Sequence, residues 1–386
     1  MHELRRWNIF IATFTFAAFL YVPFIAPYLK ANITQTYGLP IGIWFGIFAA
    51  AVPLSIILTT HAIGSFADAR GRRIVILSGL LLTAASMLLY LLSTDPILLL
   101  MARMAETIGY STVVLITLAQ VNDKLSDQGR GKAQGIFLSI QQIGNMLGPL
   151  VGAWLSTMMP KAPFLAALAI FIALIIMLPS AVPIQPGKLR LNLIDNWKSF
   201  LGFRKLKGVA VLGMAMSAQM PAFYFFLPLL ILERFGRIEY VGMAMLALAA
   251  LKPLQFVAGM LVDTYGKARL SIVGCLIVGA GLFLISVATS LPALLAIMVL
   301  ISAGEAFWNV GAWTMLSSVG EANHIEGQVV GTYASIAKVG EFFAALLFGI
   351  IAATLGLTTI FSMAGYIIIV GVLVSLFYLR DLPGPR

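Results

Sequence analysis

Charge is scarce in this sequence. Aspartate, glutamate, lysine and arginine make up 10% of its 386 residues against 60% hydrophobic ones, with a mean hydropathy of +0.98. That balance excludes an ordinary soluble domain, in which about a quarter of residues are charged. One cysteine, Cys275, excludes an internal disulfide and reads as a small buried apolar side chain. The three histidines, His2, His61 and His324, are too scattered to suggest metal ligands, and His61 reads as a buried histidine. No HExxH zinc motif occurs. The segment QGRGKAQG at 128–135 has a lysine but neither the glycine spacing nor the Ser/Thr of a phosphate-binding loop. An enzyme, a metal site, a bound cofactor and ATP-driven transport are therefore not expected. The ten-residue alternation that marks a membrane barrel is missing as well.

Long apolar runs are what the chain does have. A bilayer core about 30 Å thick takes roughly 20 helical residues to cross. Runs of that kind fall near 7–29, 41–66, 74–93, 96–121, 133–157 and 163–182, then 208–232, 239–262, 270–290, 292–318, 328–353 and 357–379. They are numbered here as spans 1 to 12. The pattern predicts an all-α membrane protein of twelve transmembrane helices in two pseudo-symmetric six-helix bundles. The halves are 1–182 and 208–386, joined by a basic, amphipathic linker at 183–207 that lies on the membrane surface.

Lysine and arginine set the orientation. With both termini cytoplasmic, cytoplasmic segments hold 18 of the 25 basic residues, outer loops hold 4 (Lys30, Lys161, Arg234, Arg237) and spans hold 3 (Arg103, Lys252, Lys338). The net charge of +10 then lines a membrane face rich in anionic lipid and is no sign of nucleic-acid binding. The arginines before the first apolar run suggest a signal peptide, but the run is longer than a signal h-region and lacks a small-residue cleavage site. It reads as span 1 of a multi-pass plasma-membrane protein, in a bacterium the inner membrane.

The densest charge lies between spans 2 and 3, in GSFADARGRR at 64–73, and a second copy, GMLVDTYGKARL at 259–270, lies between spans 8 and 9. Gly64, Asp68 and Gly71 match Gly259, Asp263 and Gly266 at a constant offset of 195. Independently, GIFLSIQQIG at 135–144 matches GTYASIAKVG at 331–340 at an offset of 196. Parallel repeats of this kind mark transporters built from two rocking halves.

These residues resemble the major facilitator superfamily over essentially the whole chain. The stretch at 64–73 resembles its loop 2–3 signature, except that Ala69 stands where a basic residue is usual and Arg70 follows one place later. The resemblance implies a conformational latch, which physics supports. Gly64 lets span 2 pack closely, and Asp68 is placed to accept hydrogen bonds from a helix N-terminus. Arg70, Arg72 and Arg73 bind lipid phosphates or pair with Asp123 at the end of span 4. In span 5, Gly144, Gly148 and Gly152 share one helix face, with Pro149 beside them. GNMLGPLVG thus resembles the antiporter signature of the family's proton-coupled efflux branch, as YVPFIAPYLK at the end of span 1 resembles that branch's first span. A glycine-rich packing face without bearing on transport direction is the alternative. In span 4, RMAETIG resembles the family pattern with Glu106 in place of glutamine and Thr107 in place of glycine.

Ionisable residues inside spans are costly and default to functional candidates. Arg103 and Glu106 are three apart on one helix face, and so are Lys338 and Glu341 in span 11. An acid beside a fixed cation has its proton affinity lowered by the charge and raised by desolvation. It suits proton exchange as access alternates, unless the pair is a static one. By the repeat, Lys338 and Glu341 correspond to Gln142 and Asn145, which with Gln141, Glu305 and Asn309 line a predicted polar substrate cavity. Glu305 has no basic residue within one helical turn. Lys252 belongs either to that cavity or to an interface. The expected protein is a monomeric transporter that exports small amphipathic or metabolite-like solutes in exchange for protons, with membrane lipids and protons as its other partners. Uptake or facilitated diffusion of a polar solute, a lipid flippase, and a channel or receptor on the same fold remain alternatives.

Overall fold

Inside a bilayer no water is available to the backbone, so a span must satisfy its own amides, and a helix does this within one segment. The computed structural model describes residues 2–122, 127–178, 193–252, 255–323 and 326–379. Among them every regular element is helical. Nine helices or helix runs are long and apolar enough to cross a membrane. The other three spans are the 32-residue helix Asp127–Met158 of span 5, the shorter Ala162–Ile176 of span 6, and span 8.

Spans 2, 3 and 4 are Ile41–Arg70, Arg72–Leu92 and Pro96–Asn122, and spans 9 to 12 are Lys267–Val287, Leu291–Asn323, Glu326–Thr354 and Leu357–Leu379. Three spans are irregular. In span 1 a 3-10 turn at Val22–Phe24 separates His2–Tyr21 from Ile25–Asn32, where Pro23 lacks the N–H that an α-helix requires. Span 7 passes from Arg204–Ser217 through Gln219–Pro221 and a π-helical turn at Ala222–Phe226 to Leu227–Phe235. Span 8, expected as one run from 239 to 262, is two helices, Glu239–Ala249 and Gln255–Tyr265. In the sequence Pro253 lies between the two, and a proline disfavours helix at the residue before it. Of the expected linker, residues 183–192 lie outside the described ones, while Leu193–Gly202 forms a helix that buries Phe200.

The chain divides into two compact units. One comprises Met1–Trp44, Leu54–Arg190 and Gly236–Met245; the other comprises Phe45–Pro53, Leu191–Phe235 and Leu246–Arg386. In the first, span 1 packs on spans 5 and 6, and span 3 on spans 4 and 6. In the second, span 7 packs on spans 11 and 12, and span 9 on spans 10 and 12. The same four pairings recur six spans later, the packing counterpart of the sequence repeat.

Backbone conformation repeats too. Gly71 has φ 86° and ψ 143°, and Gly266 has φ 89° and ψ 143°. Each donates its N–H to the residue four earlier, Ala67 and Val262, at 2.9 Å. A residue with a Cβ is strained by about 1–3 kcal/mol in such a conformation. Gly71→Ala and Gly266→Ala are therefore expected to lower stability by similar amounts, of that order, in thermal unfolding of the purified protein; a silent substitution at either would show that the turn tolerates a side chain.

In the second unit Arg234 closes the end of span 9. Its guanidinium donates to the carbonyls of Ile285 at 2.8 Å, Ser286 at 2.7 Å and Ala288 at 2.6 Å at the helix end, where the Ile285 carbonyl also accepts the Ala288 N–H at 3.3 Å. Arg234→Met is expected to cost about 2 kcal/mol, as hydrogen bonds to a charged group do. Cys275 offers a native reporter, since the lone thiol is fully buried. Its reaction with a fluorogenic maleimide should begin several degrees lower in the variant, and an unchanged onset would reject the capping role.

Candidate functional site

Span 4 enters the first unit under a cap. Asp95 accepts from the N–H groups of Ile97 at 2.9 Å and Leu98 at 3.0 Å, and from the Tyr37 hydroxyl. The Tyr37 contact first, and the Leu98 amide next, hold the Asp95 carboxyl below its ordinary range. Its contribution to stability is therefore present above the unfolded value and lost as pH falls through the folded one.

Two turns into that helix, Arg103 Nη1 donates to Glu106 Oε1 at 3.0 Å and to Oε2 at 2.8 Å. Both side chains are buried, 8% and 5% exposed. The Tyr90 hydroxyl of span 3 donates a third hydrogen bond to the carboxylate, at Oε2 and 3.1 Å. Tyr21 of span 1, fully buried, lies within the field of the same carboxylate. Aromatic packing holds these hydroxyls in place. Phe164 of span 6 lies 5.6 Å from the ring of Tyr21, 5.5 Å from Tyr90 and 4.6 Å from Tyr28, and the Tyr28 hydroxyl donates to the Tyr90 carbonyl at 2.6 Å. The sequence reading missed Tyr21 and Tyr90. Nothing in spacing along the chain marks them, because they reach Glu106 from other spans.

The second expected pair also forms, with Lys338 Nζ on Glu341 Oε2. Glu305 differs from expectation. Its lack of a basic neighbour along span 10 is made good by Lys252 of span 8, whose Nζ lies 3.0 Å from Glu305 Oε2. That contact joins Lys252 to span 10 within the second unit. No hydrogen bond joins Glu305 to Asn309 among the described residues. In span 5, Asn145 Nδ2 donates to Gln142 Oε1 at 3.1 Å, while Gln141 Nε2 donates to the Tyr110 hydroxyl of span 4 at 3.3 Å.

Gly144, Gly148 and Gly152 all face span 1. A Cβ on Gly148 would lie 2.7 Å from Phe19 Cβ, one on Gly144 would meet Thr15 Oγ1, and one on Gly152 would meet the Leu20 carbonyl. Pro149 lies inside the helix beside them. Of the latch residues, Arg72 is buried, Arg73 is exposed, and an added Cβ at Gly259 meets nothing within 4 Å among the described residues. Asp123, the surroundings of Gly64, and the side chains of Asp68, Asp263 and His61 lie outside what is described. Among the described residues no group of three His, Cys, Asp or Glu side chains is placed to hold a metal.

Twelve membrane-spanning helices with paired buried charges define a polytopic membrane transporter. Residues 8–325 match the family model of the Major Facilitator Superfamily, and the chain belongs to that family. An uncharacterized MFS-type transporter of Methanocaldococcus jannaschii is 27% identical over 97% of this chain and 98% of its own length. Multidrug resistance protein 2 of Bacillus subtilis is 24% identical over 96% and 94%. Among solved structures, a nucleoside transporter superposes with a TM-score of 0.82 at 9% identity, covering 99% of this chain and 100% of that one. A D-xylose–proton symporter gives 0.75 at 16% identity, covering 98% of each. At such identities the likeness is one of fold.

Proposed function

We propose that this protein is a secondary active transporter of the plasma membrane that exports small amphipathic or metabolite-like solutes in exchange for protons, with both termini cytoplasmic. The observation that carries the reading is the Arg103–Glu106 pair with the Tyr90 hydroxyl, buried among the helices of the first unit. A buried carboxylate with a cation on one side and a neutral hydroxyl on the other accepts a proton when access to water or the position of the cation changes. Glu341 beside Lys338 is the second such group.

The names of several relatives favour export. Besides multidrug resistance protein 2, they include a multidrug transporter of Bacillus subtilis and a chloramphenicol resistance protein of Acinetobacter baumannii, matched over 24% and 34% of this chain. Gln141, Gln142, Asn145, Glu305 and Asn309 line the solute path in this reading. The halves 1–182 and 208–386 rock about it, with Gly64, Asp68 and Gly71 and their counterparts Gly259, Asp263 and Gly266 as the latch. Gly144, Gly148 and Gly152 keep span 5 tight against span 1 so that the half moves as one piece.

The test is proton flux in proteoliposomes under an imposed pH gradient, with a panel of cationic, neutral and anionic amphipathic solutes. At least one solute is expected to move against its gradient while protons move the other way. Solute movement only down its own gradient, with no proton movement, would reject exchange.

A further inference from the structure

The break in span 8 is a built feature of the second unit. The Leu251 N–H, which has lost its helical acceptor, donates to Ser302 Oγ of span 10 at 3.1 Å. One residue on, Lys252 reaches Glu305, also on span 10. Facing the same lysine from span 7 is Tyr224, which lies in the π-helical turn and within electrostatic range of it. Discontinuities and π turns gather at functional sites, because each costs regular hydrogen bonds that only a specific gain offsets.

The two members of the pair differ in access. The Lys252 side chain is 18% exposed and that of Glu305 4%. Glu305 Oε1 is buried and has no hydrogen-bond partner among the described residues. Of the two side chains that of Lys252 is the more open, and its ammonium carries three donors and spends one on Glu305. The Lys338–Glu341 pair has the same sense, 29% against 7%. Lys252 lies 13 residues from each end of span 8, or roughly 20 Å along a helix. That depth puts it near the bilayer centre, beyond lipid headgroups. An ammonium facing hydrocarbon there is costly, so the open part of Lys252 faces a water-accessible interior.

We infer that Lys252 is an anion-recognising residue of the solute path, with Glu305 as its fixed counter-ion, and that the transported solutes are organic anions of the carboxylate class. The ammonium is a compact positive charge with two N–H donors not used by Glu305, which suits an anionic head group such as a carboxylate, and the backbone at 250–252 departs from a regular helix beside it. The inference rests on the reading of the chain as a transporter of small solutes, but not on its direction or its proton coupling.

The experiment is equilibrium binding to the full-length protein in nanodiscs, with no gradient. The probes are amphipathic acids of eight to twelve carbons, 4-phenylbutyrate among them, each matched with its neutral amide and its amine. The acids are expected to raise the unfolding temperature where their amides and amines do not. Lys252→Gln should weaken their binding roughly 10- to 100-fold, the loss of a charge-assisted hydrogen bond, and Lys252→Arg should retain most of it. Because the Gln variant leaves Glu305 buried and unpaired, Lys252→Gln with Glu305→Gln, which is neutral throughout, serves where the single variant does not fold; it too should lose the acids. Binding confined to amines or amides, no binding by any acid of the series, or acid binding unchanged in the Gln variants overturns the inference. Proton exchange driven by a cationic solute would sink this inference alone, whereas acid binding without proton exchange would sink only the antiport reading.

Discussion

Glu106→Gln is expected to abolish accumulation driven by a pH gradient while solute counterflow continues. With one proton exchanged per solute and the membrane potential clamped at zero, a gradient of one pH unit supplies about 1.4 kcal/mol and sustains a concentration ratio of about ten. The glutamine keeps the size of the side chain and an acceptor for the Tyr90 hydroxyl and Arg103, but it takes up no proton. The ratio should therefore fall to about one. Counterflow, which needs alternation of access but no net proton movement, should survive. A folding defect is the competing outcome, because an unpaired buried cation costs about 3–5 kcal/mol. The pair variant Arg103→Gln with Glu106→Gln removes both charges and separates the two effects. If single and double variants both fold and still drive accumulation with an unchanged pH dependence, Glu106 is a structural partner of Arg103, and the coupling role passes to Glu341 or fails.

The second large effect is expected at Gly152. A side chain there would collide with the Leu20 carbonyl and come within 2.8 Å of Phe24 Cε2. Backbone cannot move aside as a flexible side chain can. Spans 1 and 5 would have to separate, and the aromatic packing of span 1 on Phe164 and Phe171 with them. Overpacking in a well-filled interior costs about 1–3 kcal/mol, and a clash with main chain lies at or above the top of that range. Gly152→Leu should therefore yield little monodisperse protein, with Gly152→Ala intermediate by tryptophan fluorescence and size-exclusion chromatography. Gly259→Ala is the contrast, since a Cβ there meets nothing within 4 Å among the described residues and alanine favours helix by up to about 1 kcal/mol. Normal yield and stability for Gly152→Leu would show that the two helices are not held at that distance.

Much of the fold was legible because its determinants are local in sequence. The end of span 12 at 379 and the start of span 2 at 41 fall where hydropathy put them. The break in span 8 was not legible: Pro253 sits in an apolar run, and a proline in a span either bends the helix or breaks it, depending on whether a neighbour supplies the lost hydrogen bonds. Here Ser302 does so. The pairs Arg103–Glu106 and Lys338–Glu341 could be read from i, i+3 spacing, which fixes side-chain proximity on any helix. Lys252–Glu305 could not.

By itself, then, the sequence determined the class of protein, the spans, the repeat and the two pairs that lie along single helices, because bilayer thickness, helical periodicity and the glycine-only turns at Gly71 and Gly266 act within a few residues of one another. The tertiary structure decided which side chains from different spans meet: Tyr90 on Glu106, Lys252 on Glu305, and the face of span 1 against Gly152. Those contacts depend on how each helix is rotated about its axis and how deeply it sits beside its neighbours. Both are set by the summed packing of whole helix surfaces, which no stretch of one span encodes.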